Sequence, residues 1–168
     1  MSKGRFRKDH DLYVTDTATK GRGLFTHRAW RKGDIVLIVK GKTRYFQATT
    51  PEECYQYPNW FAVNKNTWVD PNAPYVYLNH SCNPSLGIFY GRIFIATRDI
   101  APGEELTFDY STTEDELDWE MRCHCQEATC RGVIRSVQHL APHHYERIQA
   151  YTPPYFCKVY EMQQITPK

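Results

Sequence analysis

The chain has 168 residues, 41% hydrophobic and 24% charged, which is the length and make-up of one globular domain rather than a disordered segment. No apolar run approaches the ~20 residues of a membrane helix, and the basic start, Met1 to His10, lacks the apolar stretch of a secretory signal. A net charge of +2 is too small to imply nucleic acid as the primary ligand. These features predict a cytoplasmic or nuclear protein without a membrane partner; for an exported microbial effector the destination would be a host nucleus.

Residues 1–11 read as a basic N-terminal arm carrying Lys3, Arg5, Arg7 and Lys8. Its plain reading is a solvated, mobile terminus; a substrate-contacting or nuclear-import role is the alternative. Asp34 to Val39 is an apolar, β-branched run after the Lys32-Gly33 turn signal and predicts a buried strand. Residues 44–74, rich in aromatics and proline, are expected to form an irregular insert with one short helix at most. Leu86 to Ala96 predicts a hairpin turning at Tyr90-Gly91. Pro102-Gly103 is a turn, and Glu105 to Tyr110 predicts the strand after it. The acidic stretch Glu114 to Glu120 reads as a helical turn or a loop. Pro142 opens a predicted helix to about Tyr151, since proline is favoured at the first helical position; Tyr151 to Phe156 is not expected to be regular helix. The last few residues are expected to fray. Short strands punctuated by Gly and Pro define a mostly β domain.

Cys123, Cys125 and Cys130 fall within eight residues, Cys-His-Cys-Gln-Glu-Ala-Thr-Cys, close enough for three thiolates to converge on one ion. Reduced cysteines packed as small hydrophobes are the bland alternative. Structural zinc takes four ligands in a tetrahedron, so a distant residue must complete the set. Cys54, Cys157, His80 and His124 are candidates, but Cys82, beside Asn79-His80-Ser81, is the one we select. It turns the metal from a local clip into a cross-link between core and tail.

Five segments then stand in order: Gly21-Arg22-Gly23-Leu24-Phe25, Lys32-Gly33-Asp34, Asn79-His80-Ser81-Cys82-Asn83-Pro84, Gly103 to Tyr110, and the Cys-x-Cys-x4-Cys-Arg-Gly segment. Together they resemble the SET domain with its post-SET zinc tail, over residues 12–134. The resemblance implies a β-clip fold of short sheets with a pseudoknot, a SET domain at 12–110 including the insert, a post-SET zinc segment at 111–134, and an extension at 135–168 with a C-terminal helix. With no cysteine-rich segment before the core, the nearest likeness is to small microbial or viral members.

The function it implies is S-adenosylmethionine-dependent protein-lysine N-methylation, with S-adenosylhomocysteine as product. By position, Gly21, Arg22, Gly23 and Leu24 would present a backbone loop to the cofactor's methionine part, glycine leaving room for a close approach. Asn79 and His80 would hold the amino end and adenine, and Trp119 and Ile134 would cover the adenine. Tyr110 matches the catalytic tyrosine, and Phe108 a position held by Phe or Tyr that governs how many methyl groups fit. Val39 stands where the family has a channel tyrosine; Tyr45 or another insert aromatic is the candidate substitute. Ser85 and Gln126 are further departures from the family pattern. Tyr55, Tyr57, Trp60 and Phe61 are either core or determinants of substrate choice. The partner would be a protein with an exposed lysine, a histone tail among the options, and the chain a monomer or homodimer. Two competing classes are a catalytically weak SET module that binds cofactor or a protein tail without turnover, and a zinc-stabilised adaptor that binds nucleic acid through the basic arm.

Overall fold

The computed structural model describes residues 11–165. The basic residues Lys3 to Lys8 and the final three residues lie outside that range.

Strands β1 (Leu12–Asp16) and β2 (Arg22–Thr26) form an antiparallel pair with Leu12 opposite Thr26 and Asp16 opposite Arg22. The turn between them is closed by the Thr17 amide and hydroxyl, both donating to the Gly21 carbonyl at 2.7 and 2.8 Å. Gly21 sits at φ +70°, so only the first glycine of Gly-Arg-Gly belongs to the turn. Arg22 and Gly23 are already paired strand, where the motif had been expected to remain loop.

Strand β3 (Ile35–Ile38) lies beside the hairpin of β8 (Leu86–Tyr90) and β9 (Ile93–Ala96), in the order β3-β9-β8. Val36, Leu37, Leu86, Ile88 and Phe94 are fully inside the core, the adjacent pair on β3 being buried together where the register with β9 shifts between Ile35 and Leu37.

The segment expected to be irregular contains most of a second sheet. Strands β4 (Gly41–Tyr45), β5 (Phe61–Asn64) and β6 (Thr67–Pro71) pair in the order β4-β6-β5. The β5–β6 turn places Asn66 at φ 56°, a left-handed conformation that asparagine tolerates. Asn64-Lys65-Asn66 was therefore a turn signal between two runs of β-formers. The one short helix expected is a 3-10 turn, Pro51–Tyr55.

Two two-residue strands, β7 (Asn79–His80) and β10 (Thr107–Phe108), pair in parallel at the centre of the molecule. The predicted strand over Glu105 to Tyr110 shrinks to this pair. Glu105 bridges to Phe25, the Leu106 amide donates to the Leu24 carbonyl at 2.7 Å, and the Asp109 carboxylate accepts from the Ser111 amide at 3.1 Å. That side-chain cap turns the backbone into a 3-10 turn over Tyr110–Thr113.

The tail contributes β11 (Glu120–Arg122) paired with β12 (Val133–Arg135), then α1 (Pro142–Ile148) and α2 (Pro154–Ile165). There are two helices where one was expected. The second starts inside Tyr-Thr-Pro-Pro-Tyr-Phe, because Pro154 takes the first position, where a missing N–H costs nothing. Phe156, Tyr145, Ile148 and Val137 bury a second cluster against Ala62 and Trp68 of the insert sheet. Among the described residues no helix is long and apolar enough to cross a membrane.

Candidate active site and thiolate metal centre

The sulfur atoms of Cys82, Cys123, Cys125 and Cys130 all lie within 4.8 Å of one another, and the cluster contains no histidine. Cys82 follows β7; the other three sit on the loop between β11 and β12. That loop is shaped by the Cys123 amide donating to the Gly132 carbonyl at 2.8 Å and by Gln126 at φ 59°. The Cys82–Cys123 sulfur separation is 3.7 Å. This is far beyond a disulfide bond; a tetrahedron with ~2.3 Å metal–sulfur bonds has edges of about 3.8 Å. The donor set fits one zinc ion. Burial pushes the Cys82 and Cys123 thiols up from their ordinary values, and coordination would remove those protons outright. Cys157, on α2, lies apart and donates to the Thr152 carbonyl at 3.4 Å. His124 is exposed, with its carbonyl accepting from the Thr19 hydroxyl at 2.8 Å.

Cys82 has an unusually dense polar surround. The Arg131 amide and Nε approach its sulfur at 3.4 and 3.3 Å, and His80 Nε2 lies at 3.3 Å. Arg131 also donates through Nη2 to Asp109 Oδ1 at 2.6 Å and through Nη1 to Ser111 Oγ at 3.2 Å. The Tyr110 amide donates to His80 Nδ1 at 3.2 Å. That bond makes Nδ1 the acceptor and leaves the ring proton on Nε2, facing the Cys82 sulfur. Burial lowers the His80 pKa to about 4, with Arg131 and Lys20 acting in the same direction against Asp109, so the ring is neutral. Both neighbours of Tyr110, and its own amide, thus trace back to Cys82.

Tyr110 is part-buried between Phe108 and His80, with ring centroids at 4.8 and 5.4 Å. Its hydroxyl donates to the Leu78 carbonyl at 2.8 Å. Burial, and then the charge of Glu105, hold the phenol well above its ordinary pKa. The hydroxyl is a donor to Leu78 with lone pairs to spare.

Glu105 organises the neighbouring corner. It forms an ion pair with Lys20 at 2.6 Å and accepts from Asn79 Nδ2 at 2.8 Å, while Asn79 also donates to the Arg22 carbonyl at 3.0 Å. A Cβ on Gly23 would lie 2.6 Å from Glu105 Oε1 and 2.8 Å from Thr17 Cγ2. The missing side chain is therefore needed for this corner to close. Around Gly21 there is open space: an added Cβ would meet nothing within 4 Å.

A cavity of about 140 Å³ opens beside Tyr110 and Phe108, walled by Trp60, Phe61, Tyr75, Leu78 and Trp119. Tyr55 and Tyr57 line its mouth. The Tyr55 hydroxyl accepts from the Glu120 amide at 3.0 Å and lies 3.2 Å from the Glu120 carbonyl, tying insert to tail. Trp119 and Ile134 pack with Cys82 and Cys123 into a small buried cluster against Tyr110.

The structure brings Tyr110, Phe108, Trp119 and the insert aromatics to one cavity, with Asn79, His80 and Ile134 adjoining. It does not bring Val39 or Tyr45 there. Val39 is 1% exposed in the main core, its amide donating to the Arg92 carbonyl; Tyr45 is 83% exposed at the end of β4. Leu24 is fully buried and contributes its backbone to the fold. The Arg22 guanidinium stacks 4.3 Å over the Tyr77 ring. Residues missed in the sequence are Glu105, Glu114, Tyr75 and Arg131; only Arg131, inside the Cys-Arg-Gly segment, carried a visible signal.

This arrangement belongs to a recognisable class. The SET domain model matches residues 21–111. The chain belongs to the SET domain family. Among curated proteins, histone-lysine N-methyltransferase 2D of Homo sapiens is 28% identical over 73% of this chain and 2% of its own length. A putative histone-lysine N-methyltransferase 1 of Plasmodium falciparum is 26% identical over 72% of this chain and 2% of its own. The chain thus spans a small fraction of these relatives. The crystal structure of KRYPTONITE in complex with mCHG DNA and SAH superposes with a TM-score of 0.56 at 23% identity, covering 73% of this chain and 28% of that one. A second KRYPTONITE complex, with mCHH DNA, H3(1-15) peptide and SAH, has a TM-score of 0.55 at 21% identity, over 73% and 29%. These two share the fold.

Proposed function

We propose that this chain is a protein-lysine N-methyltransferase that uses S-adenosylmethionine, with one zinc ion bound by Cys82, Cys123, Cys125 and Cys130. The observation that carries the reading is a protonated tyrosine hydroxyl, Tyr110, on the wall of an aromatic cavity roofed by a thiol-tethered tail. Bound S-adenosylmethionine supplies a methyl group made electrophilic by a positive sulfur. Asn79 and His80 would hold its amino end, the open face at Gly21 its carboxyl end, and the Trp119–Ile134 cluster its adenine. The zinc holds the roof and takes no part in the chemistry.

The chain's own residues must deliver a neutral amine. Free lysine titrates near ~10.4, so about 1 in 2,500 is neutral at pH 7. The aromatic walls penalise the ammonium by desolvation. Tyr110 keeps its proton and gives it to Leu78, so its oxygen can accept from the amine and aim the nitrogen lone pair. Holding two reacting groups in line supplies much of the remaining acceleration. Phe108 lacks a hydroxyl, so no bound water crowds a second or third methyl, and the enzyme proceeds to di- or trimethyl-lysine. The substrate is a flexible protein tail, histone tails being the first to test because the curated relatives are histone-lysine methyltransferases.

Incubation with radiolabelled S-adenosylmethionine and mixed histones tests the reading. Transfer should occur and fall at least about a hundredfold in Tyr110→Phe, the scale of a lost positioning and proton-handling group, with cofactor affinity retained. Tight cofactor binding with no transfer by the wild type to any protein in a whole lysate would overturn it.

A further inference from the structure

Glu114 lines the same cavity as Phe108, Tyr110 and Trp119 yet has no place in the mechanism above. It is 8% exposed, and its carboxyl has no hydrogen-bond or ion-pair partner among the described residues. A carboxyl buried in this way is costly to keep, because it has surrendered water and received nothing in exchange. Its backbone is tied to the tail by the Val137 amide, which donates to the Glu114 carbonyl at 2.9 Å.

We propose that Glu114 is the counter-charge by which this cavity selects a cationic side chain, the substrate lysine, over an apolar one of equal length. The proposal rests on the reading of the chain as a lysine methyltransferase and names a specificity-determining residue for it. Aromatic faces attract a cation, but by less than it costs to strip an ammonium of water. A carboxylate lining the cavity makes up the difference when the ammonium enters, before the amine is made neutral for transfer, and an apolar side chain gains nothing from it.

Burial pushes the Glu114 carboxyl well above its ordinary range, and the nearby charges of Asp115 and Glu116 push it further. The other titratable groups around it are Glu53, held by the Thr49 amide and hydroxyl, and the phenols of Tyr55, Tyr57, Tyr75 and Tyr110. Asp115 itself accepts from the Tyr155 hydroxyl at 2.6 Å. No cation faces Glu114 in this set, so its charged form is disfavoured until one arrives. When a cation arrives, the carboxyl O–H breaks, its proton goes to solvent, and the carboxylate remains paired with the ligand. The sign follows: raising the pH removes a proton that binding must otherwise expel, so cation affinity rises with pH until Glu114 is ionised on its own.

Capped trimethyl-lysine is a suitable probe, because it is a permanent cation with no proton to lose; its neutral tert-butyl analogue, with carbon in place of the quaternary nitrogen, is the apolar control of the same shape. Fluorescence of Trp60, Trp68 and Trp119, which line the cavity, reports binding without turnover. In a pH scan that starts in the ordinary carboxylate range, the wild type's affinity for trimethyl-lysine should rise with pH by at most about tenfold per unit, and at pH 8 it should exceed that for the tert-butyl analogue by at least about tenfold. Glu114→Gln, which mimics the uncharged acid, should lose both the slope and the preference. A flat profile in the wild type, equal affinity for the two probes, or an unchanged slope in Glu114→Gln would each overturn the proposal, and the first two need no variant that folds. Methyl transfer is scored separately: its absence sinks the enzymatic reading and leaves the titration to decide Glu114.

Discussion

The cavity has a floor and a roof built on different principles. The floor, β7 with β10, is held by backbone pairing on top of a core in which Leu24, Phe94 and Leu106 are fully buried. The roof, residues 119–134, buries only Trp119, Cys123 and Ile134, and all three residues of β11 are exposed. Ordering a backbone residue costs about 1–2 kcal/mol, which so little apolar burial does not offset over sixteen residues. The floor folds because of hydrophobic burial; the roof depends on four thiolates and a metal. Loss of metal should therefore unroof the site without unfolding the domain.

The largest expected effect follows directly. Cys125→Ser removes one of four donors, and zinc content should drop from about one per chain to near zero. Methyl transfer should fall about a hundredfold or more, the consequence of losing a structural zinc that holds a segment folded. A cooperative thermal transition should persist, since the buried core is untouched. A metal-free variant with normal cofactor affinity would show that the roof stands by packing alone.

Arg131→Gln sharpens the comparison, because it keeps all four thiols and cuts the link to the floor. The substitution strips Cys82 of the Nε donor and leaves Asp109, 4% exposed, without its guanidinium. Losing such an outer partner of a metal ligand typically costs 10- to 100-fold. If Arg131 positions Tyr110 through Asp109 and Ser111, kcat should fall with zinc still near one per chain. If it serves only the metal site, zinc should leave more readily on chelator challenge, and excess zinc should restore the rate.

The floor was legible in the sequence and the roof's wiring was not. Asp34 to Val39 and Leu86 to Ala96 announced their strands through alternation and turn residues, both local properties. The thiol cluster was legible as well, because ligand spacing is local for three of its members. Arg131, Glu105 and Glu114 were not, since their side-chain partners lie 20 to 85 positions away or, for Glu114, are absent among the described residues, and no periodicity encodes that. The insert sheet was missed for a subtler reason: Pro51, Pro58, Pro71 and Pro74 mask two short runs of β-formers. Tyr45 failed as a channel residue because β4 is an edge strand that ends pointing its last side chain at solvent.

Phe108→Tyr tests the floor alone. The ring packs 5.3 Å from Phe94 and 4.8 Å from Tyr110, so an added hydroxyl meets the region where extra methyl groups would sit. Overall turnover should change by less than about tenfold, the worth of one modest hydrogen bond, while the product shifts towards monomethyl-lysine. Mass spectrometry of an exhaustive reaction reads this; an unaltered product ladder would remove Phe108 from the account.

The smallest effect belongs to a hydroxyl that joins insert to roof. Tyr55→Phe deletes a hydroxyl that accepts from the Glu120 amide and lies against the Glu120 and Asp118 carbonyls. Tyr55 is 46% exposed, so water can take over each lost bond, and the net cost should be near the ~1 kcal/mol of an exchanged hydrogen bond. Because the contact closes the mouth rather than touching Tyr110, the change should appear as a rise of about fivefold in KM for the protein substrate, with kcat unchanged. A matching drop in kcat would mean that insert and roof move together during the chemical step, and that the two halves of the cavity are one mechanical unit after all.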